Sequence, residues 1–104
     1  REYADVRAVF LEEEPRVESC YELATTRNIV VVPFFISDGL HSFEEIPVKL
    51  GEPKKRVQQR LTDGKPTWVN PTERQGKRVW YSLSIGTEPF IAEVILERVR
   101  EAAV

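Results

Sequence analysis

The feature that most constrains the fold is the apolar run NIVVVPFFI, residues 28–36. A near-continuous run of this length is typical of a strand covered on both faces of a parallel sheet, whereas a strand with one wet face alternates. Pro33 has no backbone N–H to donate to a ladder, so the strand needs a bulge or an edge position there. The run therefore predicts a buried strand over residues 28–36 with an irregularity at Pro33.

Elements of alternating type surround this strand. Residues 4–11, ADVRAVFL, are typical of a buried strand, and residues 15–26 carry apolar side chains at helical spacing. Ser42 and Glu45 have the spacing of a capping box. That spacing indicates a further helix that begins just after His41.

The second half of the chain continues the alternation. Residues 53–62 predict a basic helix, and two short strands joined by the polar turn 71–77 follow, the second over residues 78–84. The segment 86–89 opens a last helix. The positions predicted to be buried on this helix are Ile91, Val94, Ile95 and Val99. This order predicts one α/β domain over residues 1–104, with a mostly parallel sheet.

The composition narrows the functional classes. The chain has 104 residues, a net charge of −2, one cysteine, one histidine and no methionine. It lacks the basic excess of a general nucleic-acid binder and any apolar run near the roughly 20 residues that span a bilayer. One cysteine cannot form an internal disulfide, so we expect a cytoplasmic protein. Without an initiator methionine, we expect the chain to be a piece of a longer protein.

Polar residues follow the predicted strands at their carboxyl ends, where open parallel sheets bind ligands. Residues 12–14, 37–41 and 84–87 meet at this edge, and Gly39 permits a tight turn that aims His41 over it. The alternatives are an ordinary loop histidine and an acidic helix start. Cys20 is predicted to be a small core residue. One cysteine and one histidine disfavour a closed zinc site and leave an open site, completed by carboxylates or by another chain.

The predicted basic helix carries Lys54, Lys55, Arg56 and Arg60 on what the sequence indicates is one basic face, and two tryptophans follow it. Basic and aromatic side chains together can bind nucleic acid. They can equally hold a large flat polycarboxylate, or the charges can simply solvate the helix. The tryptophans are predicted to be packing residues, because aromatic side chains bury a large area.

The stretch VPFFISDGLHSFEEIP, residues 32–47, resembles the strand-loop-helix motif of the sirohydrochlorin chelatases, the class II or CbiX-type metal chelatases of cobalamin and sirohaem synthesis. In that family an apolar strand with an internal proline leads into a Gly-x-His turn and an acidic-Ile-Pro helix start. The flanking stretches VRAVFLEEEP and SIGTEPFIAEVILERV are similar to the family's preceding strand and its last strand-to-helix turn. The resemblance extends over most of the chain.

The resemblance implies a chelatase-like three-layer α/β/α sandwich that inserts Co²⁺ or Fe²⁺ into sirohydrochlorin. His41 matches the family's metal-binding and catalytic histidine. Glu12 matches the acidic residue after the preceding strand, with Glu13 as the alternative register. An imidazole can be neutral at cellular pH and so act as a base or a ligand, and cobalt and iron accept both imidazole and carboxylate donors.

The resemblance also implies a substrate site and partners. Ser37, Gly39, Lys54, Lys55 and Arg56 are the candidate residues for binding the tetrapyrrole, the cations because its many carboxylates are attracted to a basic rim. The metal ion is a substrate, and no organic cofactor is indicated. The family's first strand ends in a Gly-His-Gly-Ser turn without a counterpart in this sequence. We therefore expect a second chelatase-like domain or a homodimer, and we interpret residues 52–78 as an insertion.

Three functions remain to be distinguished. The first is a chelatase domain with His41 as metal ligand and proton acceptor and Glu12 as supporting ligand. The second is a non-catalytic module that binds a tetrapyrrole or a metal, or that dimerises, within a larger chelatase-like protein. The third, nucleic-acid binding through the basic helix, is disfavoured by the net charge, and we expect neither a nucleic-acid partner nor a membrane.

Overall fold

The computed structural model describes residues 5–35, 39–87 and 89–103, and these form a small α/β fold, as predicted. The strands are β1 (Asn28–Val31), β2 (Thr72–Arg74) and β3 (Lys77–Tyr81). The α-helices are α1 (Cys20–Leu23), α2 (Ile46–Lys49), α3 (Lys54–Thr62) and α4 (Pro89–Ala103). Shorter elements are 3-10 turns at Val17–Ser19 and Ile85–Thr87 and a π-helical turn at His41–Glu45.

The sheet is mixed, with the strand order β1-β3-β2. β1 and β3 are parallel, in register from Asn28 opposite Arg78 to Val31 opposite Tyr81. β2 and β3 form an antiparallel hairpin around Gly76, because a tight turn is too short for the crossover that a parallel neighbour needs. The predicted mostly parallel sheet and three-layer sandwich are therefore not confirmed in the described residues.

β1 ends at Val31, so the strand predicted over residues 28–36 is too long. Beyond it the chain still runs beside the segment after β3, where the backbone N–H groups of Ile85 and Gly86 donate to the carbonyls of Pro33 (3.1 Å) and Phe35 (2.9 Å). Pro33 takes part only as an acceptor, because it has no N–H. The irregularity predicted at Pro33 is thus the end of the regular ladder.

The strand predicted over residues 4–11 is wrong for the part that the structure describes. Phe10 makes an isolated bridge with Arg16. Its N–H donates to the carbonyl of Pro15 (2.8 Å), and its carbonyl accepts from the N–H of Val17 (2.9 Å). The backbone thus folds back onto the acidic turn that follows it. Apolar alternation yields a strand only where a neighbouring strand offers a partner, and this segment pairs with its own continuation instead.

The helices lie close to the predicted positions, but their lengths differ from the predicted lengths. The helix predicted over residues 15–26 is limited to the 3-10 turn and α1, and the β-branched Thr25 and Thr26, which favour helices weakly, lie beyond its end. The predicted basic helix is α3, and the predicted last helix is α4. Gly64 follows α3 with a φ of 67°, a conformation that glycine adopts without a steric penalty.

The helix predicted to begin after His41 is present, but Ser42 does not cap it from outside. Ser42 is buried within the first turn, where its Oγ accepts from the Gly39 N–H (3.0 Å) and donates to the Gly39 carbonyl (3.2 Å). The helix opens with a wide π-helical turn and continues as α2, which holds Pro47 in its first turn. A wider turn at this place accommodates a proline that has no N–H for the helical ladder.

The core lies on one face of the sheet. It joins β3 to the His41 helix, which is the π-helical turn His41–Glu45 together with α2. Leu50, Val57 and Val79 are fully buried. The Trp68 indole N–H donates to the Val79 carbonyl (3.2 Å), and the Tyr81 hydroxyl donates to the Ser42 carbonyl (2.6 Å). The prediction that Trp68 is a packing residue is confirmed. The segment 52–78 supplies core residues, and its interpretation as an insertion relative to other family members stays a prediction.

The apolar side of α4 is not covered in the described part of the chain. Val94, Ile95 and Val99 are exposed, so their predicted burial is wrong here, and the side chain of Ile91 lies outside the described residues. α4 contacts the Ile85–Thr87 turn at its own beginning. An amphipathic pattern predicts that the apolar face of a helix packs against another surface, but it does not specify which surface. Among the described helices, none is long and apolar enough to cross a membrane.

Candidate functional site

His41 lies beyond the carboxyl end of β1, at the start of the π-helical turn. Its imidazole stacks on the ring of Phe35, with 5.8 Å between the ring centroids and 29° between the planes. Phe35 in turn accepts the hydrogen bond from Gly86 described above, so the segments that follow β1 and β3 meet at this edge. The His41 side chain is 70% exposed. An exposed imidazole on a packed aromatic ring is accessible to a ligand.

Glu45 is the polar partner of this imidazole. Its Oε1 lies 2.5 Å from Nδ1 of His41, one turn further along the helix. An ionised carboxylate only accepts hydrogen bonds, so Nδ1 carries the hydrogen and the lone pair of the neutral ring is on Nε2. A carboxylate that holds the other ring nitrogen is the usual arrangement behind a metal-binding histidine. Glu45 thus fixes both the tautomer and the orientation of His41.

This arrangement supplies one strong donor atom. The free Nε2 can bind a transition-metal ion or accept a proton. Within residues 5–35, 39–87 and 89–103, no three side chains among His, Cys, Asp and Glu come together closely enough to hold a metal ion. The described residues therefore supply one His-Glu pair and not a closed set of metal ligands.

Glu12, the predicted supporting ligand, does not join this pair. It lies exposed in the loop that leads from Phe10 back to Arg16, and it forms no three-ligand group with His41 and Glu45 in the described structure. Its alternative, Glu13, is in the same exposed loop. The prediction placed Glu12 at the end of a strand that the described residues do not form. Its role as a ligand stays a prediction.

Two of the predicted substrate-binding residues belong to the loop between β1 and His41. Ser37 lies outside the described residues. Gly39 is described, and both its N–H and its carbonyl bond to the hydroxyl of Ser42. Among the described residues, a Cβ at Gly39 would meet nothing within 4 Å. The backbone just before His41 is thus held by a side chain of its own helix.

The basic residues of α3 are not one surface. An α-helix turns by about 100° per residue, so Lys54 and Arg56 project to nearly opposite sides, whereas Arg56 and Arg60 share a side. Arg56 and Arg60 line an open groove together with Lys65, and neither Lys54 nor Lys55 belongs to its lining. The single basic face predicted from the sequence is therefore wrong, because Lys54, Lys55 and Arg56 follow one another in sequence and so point in different directions around the helix.

Cys20 packs against the core, as predicted, and is half-buried. Burial raises the pKa of its thiol to about 11. Because the thiolate is the form that attacks electrophiles and binds metals, a thiol with this pKa is scarcely reactive at neutral pH. Cys20 is a structural residue.

Glu45 is the residue that the sequence interpretation missed as a functional partner. We interpreted it as part of a capping box with Ser42. The signal was present in the spacing, since residues four apart on a helix are neighbours and His41 and Glu45 have that separation. The capping-box and His-Glu patterns overlap in these residues, and only the position of the helix start distinguishes them.

Comparison with known proteins identifies the family. The CbiX family model matches residues 1–102. A Halobacterium salinarum protein named "Probable sirohydrochlorin cobaltochelatase" is 42% identical over 100 residues, which cover 96% of this chain and 32% of that protein. A Methanopyrus kandleri protein named "Sirohydrochlorin cobaltochelatase" is 29% identical over 114 residues, which cover 97% of this chain and 76% of that protein.

The chain thus spans about a third of the length of the Halobacterium relative and about three quarters of the Methanopyrus one. No solved structure matches the chain at a significant level. The resemblance of residues 32–47 to the chelatase motif is confirmed by the family match. Because that match extends over nearly the whole sequence, this chain belongs to the CbiX family.

Proposed function

We propose that this chain is a chelatase domain that inserts Co²⁺, or alternatively Fe²⁺, into sirohydrochlorin in cobalamin or sirohaem biosynthesis. The observation that carries the proposal is the exposed imidazole of His41, whose Nδ1 is held by Glu45 at the carboxyl edge of the sheet. The names of the two relatives, both cobaltochelatases, favour cobalt as the metal. The metal ion is a substrate of the reaction, and the proposal requires no organic cofactor.

Metal insertion needs a group that first binds the metal ion or a proton and then releases it. Insertion of a divalent ion expels two pyrrole N–H protons and strips water from the metal. In this proposal Nε2 of His41 binds the incoming ion or accepts a proton from the macrocycle, while Glu45 stabilises the positive charge that develops on the ring. Weak, open coordination suits this role, because the enzyme must surrender the ion to the macrocycle.

Binding of the acidic macrocycle is assigned to residues just before His41 and to cations of α3. We assign to this binding Ser37 and Gly39, which precede His41 in the sequence, and the cations Lys54, Lys55 and Arg56, whose charge attracts carboxylates from a distance. Glu12 is proposed as a supporting metal ligand once neighbouring segments are in place. A complete three-layer α/β/α sandwich with a mostly parallel sheet belongs to the same proposal.

The site is proposed to be completed by a second chelatase-like domain or by a second copy of the chain. The described residues contain a single His-Glu pair without further ligands, and the Halobacterium relative is about three times as long as this chain. The same observations favour the alternative function, a non-catalytic module that binds a tetrapyrrole or a metal, or that dimerises, within a larger protein.

The test follows the absorption spectrum of sirohydrochlorin with Co²⁺ and, separately, with Fe²⁺, using the full-length protein. We expect a rate above the spontaneous reaction and a loss of that excess in His41→Ala. In His41→Asn an amide donor remains near the Nδ1 position but Nε2 is gone, so we expect the same loss. Gln75→Ala, in the hairpin turn, is the control and should keep the wild-type rate.

The outcomes separate the two functions. An unchanged rate in His41→Ala contradicts the chelatase proposal. No excess rate in the intact protein, together with saturable binding of the tetrapyrrole or of Co²⁺, supports the non-catalytic module. Faster insertion of Fe²⁺ than of Co²⁺ overturns the preference for cobalt.

A further inference from the structure

An open groove of about 770 Å³ runs between α3 and the segment that connects α3 to β2. Its rim carries three cationic side chains and its floor is largely apolar. The rim cations are Arg56, Arg60 and Lys65, and the floor residues are Pro66, Trp68 and Val69. In a chain with a net negative charge, three cations around one groove are a local reversal of sign.

The nearby carboxylates neutralise these cations only in part. Glu52 is committed to Arg74, whose Nη2 lies 2.9 Å from Oε2, whereas Nη1 of Arg56 is 3.8 Å from the same oxygen. Arg60 makes only a long contact of 3.4 Å with the Pro66 carbonyl. The rim therefore keeps hydrogen-bond donors available, and guanidinium groups are well shaped to bind carboxylates.

Asp63 is the one carboxylate in the lining, and it is partly engaged. Its Oδ1 accepts a hydrogen bond of 3.1 Å from the Gln59 side chain. One carboxylate against three cations leaves the groove positive. A bound anion would therefore meet net attraction, with Asp63 favouring ligands that place their anionic groups toward the arginines.

The floor adds an apolar surface. Val69 is 53% exposed and supplies apolar surface, whereas Trp68, which is fixed by its hydrogen bond to β3, is 5% exposed and presents little surface to the groove. Pockets combine such apolar walls with a few polar groups that orient the ligand. The combination of cationic rim and apolar floor fits carboxylates carried on an apolar frame.

The groove is on the far side of α3 from the His41 helix. Gln58 contacts Glu44 of that helix at 3.5 Å. Arg56 and Arg60 lie two positions before and after Gln58, which places both about 160° away from it around the helix. The groove is thus a second surface, separate from the edge that carries His41.

We propose that this groove is a binding site for a polycarboxylate with an apolar frame. The proposal does not depend on the chelatase function. The carboxylates have two possible sources, a small free polycarboxylate or the periphery of a tetrapyrrole that extends around α3. Both offer the same chemistry to Arg60 and Lys65.

The experiment measures binding of benzene-1,3,5-tricarboxylate to the full chain by calorimetry and by shifts of backbone amide resonances in NMR. We expect saturable binding that weakens with added salt and shifts the amides of Lys65 and Val69. Arg60→Gln and Lys65→Gln should each weaken binding by about three- to tenfold. Arg98→Gln, which removes an exposed arginine from α4, is the matched control and should leave the affinity unchanged.

A second arm uses a porphyrin octacarboxylate as the probe. If Arg60→Gln weakens binding of both probes, the groove accepts carboxylates of a tetrapyrrole. If it weakens only the tricarboxylate, the ligand is a small free polycarboxylate. Absence of saturable tricarboxylate binding, or equal affinities in Arg60→Gln, Lys65→Gln and Arg98→Gln, overturns the proposal. His41→Ala should leave tricarboxylate binding intact, which separates failure of this site from failure of the chelatase proposal.

Discussion

Nδ1 of His41 and Oε1 of Glu45 are 2.5 Å apart, and this pair is the centre of the candidate site. Both residues lie in the π-helical turn, and the Tyr81 hydroxyl holds this turn in place by donating to the Ser42 carbonyl. The orientation of an exposed imidazole thus depends on a buried tyrosine of the central strand. A side chain on a short helix is held more precisely when the helix is connected to the sheet in this way.

Replacement of Glu45 tests the pair. In Glu45→Ala the ring of His41 loses its hydrogen-bond acceptor, and we expect the insertion rate or the Co²⁺ affinity to fall about 10- to 100-fold. Glu45→Gln keeps an acceptor but loses the charge, so we expect its insertion rate or Co²⁺ affinity to lie between those of the wild type and of Glu45→Ala. Glu44→Gln makes the same charge change at the neighbouring residue and serves as the control. Equal effects of Glu44→Gln and Glu45→Gln would mean that only local charge matters.

The Cys20 thiol is predicted to be unreactive in the folded protein. With a pKa raised to about 11 by burial, its thiolate fraction near neutral pH is more than about a hundredfold below that of a free cysteine. We expect slow labelling by a thiol reagent in buffer and fast labelling in denaturant. The ratio of the two rates is the measurement, and comparable rates would show that the thiol is exposed or activated.

The hydrogen bond from the Tyr21 hydroxyl to the Leu50 carbonyl, 2.5 Å long, joins α1 to the end of α2. Tyr21→Phe keeps the ring and removes this bond, so we expect a loss of about 1 kcal/mol in the free energy of unfolding near neutral pH. Urea unfolding monitored by circular dichroism measures it. An unchanged free energy would show that the bond contributes nothing net.

The same tyrosine predicts a loss of stability in alkali. Burial raises the pKa of Tyr21 from 10 to about 12, so between these pH values the unfolded chain has released a proton that the folded chain retains. The unfolded state then binds fewer protons, and stability falls as the pH rises through this window, by up to about 2 kcal/mol. Tyr21→Phe lacks this contribution and should lose less stability over the same range. An equal dependence of the free energy of unfolding on pH in both proteins would contradict the raised pKa of Tyr21.

Leu50 tests the core beneath the site. Its side chain is fully buried against Tyr21 and the sheet, so Leu50→Ala should lower the free energy of unfolding by about 2 to 5 kcal/mol. Leu83→Ala removes the same atoms from an exposed position just after β3 and should cost well under 1 kcal/mol. Similar losses in the two variants would place Leu50 outside the cooperative core.

The sequence predicted the elements whose signals are local. The run at residues 28–36, the basic helix at 53–62 and the last helix each carry their own periodicity and boundary residues, and each is present in the structure with altered ends. The motif around His41 also depends only on neighbours in sequence. It was sufficient to indicate the family, which the comparisons confirmed.

What the sequence alone determined is therefore the α/β class, the position of His41 beyond β1 and the membership of the CbiX family. Tertiary structure decided which segments pair: residues 5–11 turn back on themselves, and β2 joins β3 as a hairpin. It also decided that His41 is held by Glu45 while Arg56 and Arg60 form a separate groove with Lys65. The strand pairings and the groove depend on contacts between residues distant in sequence, which periodicity does not encode. The His41–Glu45 pair depends on where the helix begins, which the overlapping patterns in the sequence left open.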